Sequence, residues 1–158
     1  MTSIKRFLAA GVALLAVAAG AAQAQDFNAA PNYGTLNLTT GFSPDPAVVN
    51  VTAGGELNAA NLSSSCRGSI SNAPDVRLNF RAGSSLPLII SVASSADTTL
   101  VVNGPDGSWY CDDDGGVNGL NPALRFNSPM SGRYEIWVGS YGGDLAASQL
   151  HVSEVSSQ

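Results

Sequence analysis

Thr98-Thr-Leu-Val-Val-Asn-Gly-Pro-Asp-Gly-Ser-Trp-Tyr-Cys-Asp112 is the stretch that decides the fold class. Two runs rich in β-branched and aromatic residues flank Pro105-Asp106-Gly107, where proline presets one turn torsion and glycine tolerates positive φ, so the chain reads as strand, turn and returning strand. On the returning strand Trp109 and Cys111 share one side and Tyr110 takes the other. The same pattern continues outward in both directions. Residues 86–92 form a denser apolar run, expected as a central strand covered on both faces. Val76, Leu78 and Phe80 alternate with Arg77, Asn79 and Arg81. Tyr134, Ile136 and Val138 alternate with Arg133, Glu135 and Trp137, so each apolar set is expected to face a core. Leu36 with Leu38, Val49 with Val51, Leu124 with Phe126 and Leu150 with Val152 mark shorter strands. Turn residues recur at short intervals and helical spacing is absent, which predicts two antiparallel sheets packed as a sandwich.

Composition narrows the function classes. Of 158 residues 12% are charged, about half the usual share, which excludes a coiled coil, a charged disordered tail or a basic nucleic-acid-binding domain. Lys5 and Arg6 precede an apolar run, residues 7–19, that ends in Ala22-Gln23-Ala24. The run is too short to span a bilayer comfortably, and the small-x-small triplet fits cleavage before Gln25, so residues 1–24 are expected to be a signal peptide. Without them no lysine remains, and five arginines face 12 acidic residues, a net charge of about -7. Such a chain offers no polybasic surface to phosphate or anionic lipid. Export to an oxidising compartment favours a disulfide between Cys66 and Cys111. Residues 25–33 show no periodicity and read as a flexible lead-in, residues 34–155 as one domain and residues 156–158 as a tail.

Several motifs in the second half carry a family resemblance. Residues 97–116 run Asp-Thr-Thr-Leu, then Pro-Asp-Gly, then Asp-Asp-Asp-Gly-Gly, and residues 131–141 read Ser-Gly-Arg-Tyr-Glu-Ile-Trp-Val-Gly-Ser-Tyr. In order, these parts resemble the bacterial pre-peptidase C-terminal domain, well over residues 85–152 and loosely before them. The resemblance implies an all-β, jelly-roll-like antiparallel β-sandwich of about 8–10 strands. Domains of this family are appended to secreted proteases and other exported enzymes, and some bind calcium or a polymeric substrate. Here no protease domain precedes the module.

The residues themselves argue against catalysis. His151 is the single histidine and no Gly-x-Ser-x-Gly elbow occurs, so neither a serine hydrolase triad nor a histidine-rich zinc site can be assembled. No catalytic residue is expected, and His151 reads as an outward-facing strand residue. Asp112, Asp113 and Asp114 stand beside Gly115-Gly116 and near Asn118 and Asn121, an oxygen supply that admits two readings. One is a calcium site, in which the cation relieves repulsion among adjacent carboxylates; the other is a solvated turn. Trp109 is expected to pack on the disulfide side of its strand. Trp137, opposite the core-facing set of its strand, and Tyr141 are candidate binding residues, with Trp137 either exposed or covered by a loop. The expectation is a non-catalytic binding or interaction module of the bacterial envelope, periplasmic or secreted and calcium-stabilised. It would take a protein or glycan ligand on a sheet face or its loops, with no nucleic acid and no membrane insertion. The alternative is an accessory to a secreted protease or hydrolase. A structural reading, self-association through an uncovered sheet edge, also stands.

Overall fold

The computed structural model describes residues 25–158, so the expected signal peptide, residues 1–24, lies outside the described residues. Eleven strands follow in order: β1 Thr35–Thr39, β2 Ala47–Ala53, β3 Leu57–Asn58, β4 Ser69–Ile70, β5 Val76–Arg81, β6 Leu88–Ser94, β7 Thr98–Asn103, β8 Trp109–Asp112, β9 Ala123–Phe126, β10 Gly132–Ser140 and β11 Ala146–Ser153. One 3-10 turn, Ala59–Asn61, separates β3 from β4. The fold is an all-β sandwich, as the alternation predicts. No helix among the described residues is long and apolar enough to cross a membrane.

One sheet runs β2-β11-β6-β9. The other is built on β10, which pairs with β7 along one side and with β5 and then β4 along the other; β1 lies beyond β5, β8 beyond β7 and β3 beyond β4. Val76, Leu78, Phe80, Leu100, Val102, Tyr134, Ile136 and Val138 meet Val92, Leu88, Ile90, Leu150 and Val152 in the main core. Those of β5 and β10 come from period-2 alternations and those of β6 and β7 from denser apolar runs, and a buried side chain of this size is worth about 1.5–3 kcal/mol. The β7–β8 hairpin forms as read, with Val101 opposite Cys111.

Two features depart from the expectation. The sheet built on β10 is mixed, because β1 runs parallel to β5 with Leu36 level with Leu78. Parallel neighbours need a long crossover, here the passage through β2 in the opposite sheet and through β3–β4 before β5 begins. The second departure lies outside the main core. Residues 57–70 fold back over the outer face of the β10 sheet, where Ala59, Cys66 and Ile70 enclose Val101 and Trp137 in a second apolar cluster. The Cys66–Cys111 disulfide expected from the sequence forms and fastens this flap to β8.

Residues 25–33, read as a flexible lead-in, are held along the same outer face. Arg77 Nη2 donates to Ala29 O at 3.0 Å and Arg133 Nη2 to Asn28 Oδ1 at 3.0 Å. Both arginines also grip Glu135 Oε1, at 2.5 and 3.0 Å, and Glu135 is 1% exposed. Burial pushes the Glu135 carboxyl above its ordinary range, and the two guanidinium groups pull against that shift.

Candidate functional site

The turns at one end of the sandwich converge: residues 54–56 after β2, 95–97 after β6, 113–122 after β8 and 141–145 after β10. Asn121 is buried and ties the longest of these turns to Ser94 and Thr98, on either side of residues 95–97. Its Oδ1 accepts from the Thr98 hydroxyl at 2.7 Å and its Nδ2 donates to Ser94 O at 2.9 Å. Its main-chain N–H donates to Asn118 O and its carbonyl accepts from Gly116 N–H. Beside it the Thr98 N–H reaches Leu120 O at 3.0 Å, and the Tyr141 N–H reaches Asp97 O at 3.1 Å. Leu145 lies against Gly54, where an added Cβ would come within 3.1 Å of its Cδ2. Loops tied in this way present side chains on a fixed frame, the arrangement in which sandwiches commonly carry recognition residues.

Asp112 closes the longest of these turns. Its Oδ2 accepts from the Gly115 N–H at 2.7 Å and from the Ala123 N–H at 2.8 Å, so one carboxylate oxygen joins the start of the loop to its end. A Cβ at position 115 would come within 2.6 Å of that carboxylate, so a larger residue there would displace the Asp112 side chain from its bonds. Of the five residues read as a calcium set, Asp112 and Asn121 are therefore engaged in building the loop. Asp114 and Asn118 are exposed and Asp113 is half-buried. Among the described residues no three carboxylate, imidazole or thiol side chains gather in metal-binding geometry. Asp112 Oδ2 and the Asn121 amide thus serve protein hydrogen bonds. Nearby, Asp97 Oδ1 and Thr99 Oγ1 are buried without a hydrogen-bond partner. The Thr99 hydroxyl packs against Gly68 and Gly139, where a built Cβ would lie within 2.6 and 2.2 Å of it.

Trp137 faces away from the main core, as its alternation requires, yet it is 0% exposed. The flap covers it and Trp109 packs beside it, ring centroids 5.5 Å apart, on the disulfide side where Trp109 was expected. A binding role for Trp137 is thereby corrected: alternation assigns a face but not what covers that face. Tyr141 is exposed, as expected of a binding residue. Three further exposed apolar residues were missed in sequence, Val117 at 80%, Leu120 at 51% and Leu145 at 71%. Each stands alone among Gly, Asn and Asp, so no periodicity marks it. The same turns carry Glu56, Asp97, Asp113, Asp114 and Asp144, and no arginine. A cleft of about 280 Å³ opens beside them, between Ser94, Val117, Asn118 and Gln158.

Two buried titratable groups also escaped sequence reasoning or were misplaced by it. Asp75 precedes β5 and resembles a turn residue, but it is 1% exposed and its carboxylate fills a gap in the sheet. β10 is paired with β5 as far as Ile136, opposite Val76, and with β4 again at Ser140, so the Val138 N–H between them has no strand partner and donates to Asp75 Oδ2 at 2.8 Å. Asn32 and Ser71 donate to Oδ1 at 3.1 and 3.3 Å. Burial outweighs these bonds and pushes the carboxyl from 3.8 up to about 6. His151, expected to face outward, lies on the outer side of its sheet between Val48 and Ser91 and is buried. Among the described residues neither ring nitrogen has a partner, and burial holds the imidazole below its ordinary pKa.

No family model matches this chain. No curated protein matches it. Among solved structures it is similar to PliG of Aeromonas hydrophila, a periplasmic inhibitor of g-type lysozyme, at 14% identity and a TM-score of 0.43, covering 76% of this chain and 96% of that one. It is also similar to the pre-peptidase C-terminal domain of a Bacillus anthracis collagenase, at 15% identity and a TM-score of 0.45, covering 75% of this chain and 94% of that one. The second is the kind of domain that the motifs of residues 97–141 resemble.

Proposed function

We propose that this protein is a non-catalytic, exported binding module that engages a protein partner through the loop end of its sandwich. One observation carries the reading. Val117, Leu120, Tyr141 and Leu145 stand exposed on turns that are hydrogen-bonded to one another, among five acidic residues and no arginine. Exposed apolar side chains on fixed turns are the usual anchors of an interface, and the surrounding carboxylates select a partner of opposite charge. The partner is a protein with a basic surface and apolar recesses. A disulfide that fastens the flap supports an oxidising compartment, periplasmic or extracellular. The non-catalytic reading is supported by His151, whose two ring nitrogens have no hydrogen-bond partner among the described residues.

The test is surface plasmon resonance against a panel of cationic exported proteins that includes a g-type lysozyme, at low and at moderate salt. A partner should bind the wild type and lose at least about tenfold in affinity for a variant with Val117, Leu120, Tyr141 and Leu145 changed to serine. Added salt should slow its association. Binding that survives the fourfold change, or that strengthens with salt, would refute the assignment of this surface.

A further inference from the structure

Five strands are outermost in the two sheets: β1, β3 and β8 in one, β2 and β9 in the other. An unpaired edge invites another strand, and proteins blunt such edges with charge, brevity, proline or a cover. β3 has two residues, while β8 has four, ends in Asp112 and is bridged through Cys111. β9 has four residues and carries Arg125. At β2 the Tyr33 hydroxyl crosses the edge and accepts from the Thr52 N–H at 3.0 Å. β1 has none of these devices. Its five residues, Thr-Leu-Asn-Leu-Thr, contain no charge and no proline, and β5 is its one strand partner.

The free groups of β1 are set by its register. Gly34 O accepts from the Arg77 N–H and the Thr40 N–H donates to Arg81 O, so the even-numbered residues turn their peptide groups towards β5. By alternation Thr35, Asn37 and Thr39 turn theirs outward. The side chains of these three are exposed, while Leu36 and Leu38 pack on the core. The strand also reads identically in both directions. An antiparallel copy placed about a two-fold axis through Asn37 therefore sets Thr35 opposite the second copy's Thr39 and Asn37 opposite its own equivalent. Leu36 falls opposite the second copy's Leu38. Every outward peptide group then meets another, giving about six main-chain hydrogen bonds, with threonine beside threonine and leucine beside leucine. Asn79 Nδ2 donates to Asn37 Oδ1 at 2.8 Å, which orients the amide and leaves its Nδ2 to donate across the axis.

We propose that β1 is a self-pairing edge through which two copies of this chain join into one continuous sheet about a two-fold axis at Asn37. A closed, isologous contact of this kind uses up the edge and does not propagate. It also leaves the loop end of each copy free, since none of the converging turns belongs to β1.

Sedimentation equilibrium of the oxidised protein, from about 1 µM to about 1 mM, reads the association of an interface of this small size. The wild type should pass from monomer to dimer, and no further, as concentration rises. Asn37→Asp and Asn37→Lys each place like charges across the axis and should weaken the dimer at least about tenfold, whereas an equimolar mixture of the two should recover it. Independently, a chain carrying both Thr35→Lys and Thr39→Asp sets opposite charges across both outer pairs and should dimerise more tightly than wild type. A wild type that stays monomeric throughout would overturn the proposal. So would single variants that dimerise unchanged, a mixture no stronger than its parts, or a double variant that gains nothing.

Discussion

Replacing Asp75 by asparagine should change the way stability depends on pH more than its value at any one pH. The carboxyl titrates near 6 in the folded chain and near its ordinary 3.8 when unfolded. Below 3.8 both states hold the proton. Between the two values the unfolded chain releases it first, so stability falls as pH rises through this window. By about pH 7 the loss amounts to about 3 kcal/mol, the linkage equivalent of that displacement. Asparagine keeps an oxygen for the Val138 N–H and never charges, but it presents an NH2 group to Asn32 and Ser71, a penalty of about 1–3 kcal/mol that does not vary with pH. The wild type alone cannot isolate the effect, because Glu135, also raised by burial, shifts stability in the same direction. His151 shifts it the other way: its folded pKa lies below 6.5, so acidification through 6.5 protonates the unfolded chain first and lowers stability. The difference between variant and wild type cancels both. Urea unfolding of the two proteins at intervals from about pH 4 to about pH 7.5 gives that difference, and it should move in favour of Asp75→Asn by about 3 kcal/mol on going up. A difference that stays flat, or that drifts towards the wild type with rising pH, would refute the account of a desolvated carboxylate at the gap in β10.

Reduction of Cys66–Cys111 releases a loop of 45 residues and should lower stability by about 4 kcal/mol, measured by denaturant unfolding with and without reductant. Trp137→Ala should cost about 3–5 kcal/mol, because it empties the centre of the second cluster, and a variant whose melting temperature is unchanged would show that the flap does not pack on it. Asp112→Ala strands the Gly115 and Ala123 amides and should cost about 1–3 kcal/mol. Excess calcium and excess chelator should give the same melting temperature, since the loop is closed by these amides; a shift of several degrees would restore the calcium reading.

Period-2 alternation made β5, β8 and β10 legible because one face of each meets a continuous core, and a residue on that face has no other favourable place. The same logic placed Trp137 on the outer face but was silent about the flap, which is a tertiary return of residues 57–70 with almost no strand pattern of its own. The disulfide followed from two cysteines and an exported context, whereas the parallel entry of β1 is a matter of connection that alternation does not encode. At the loop end only the acidic run and Tyr141 stood out. Asn121 and Asp112 bind main-chain groups there, a role that composition alone does not separate from cation binding, because an asparagine or aspartate in a glycine-rich loop has the same composition whether it serves a cation or its own backbone. Asp75 was invisible, since its function depends on where β5 stops relative to β10.

The arrangement of basic residues bears on proteolytic endurance. From Gln25 onward the chain contains no lysine, so proteases that cut after basic residues have five arginines to act on. Arg77 and Arg133 lie within central strands and are engaged with Glu135. Arg67 is exposed in the flap, beside the cystine. A nick after it would not release the flap, because Cys66 remains covalently joined to Cys111. The cut protein would migrate as one band until reduced, and would keep Trp137 covered in the interval.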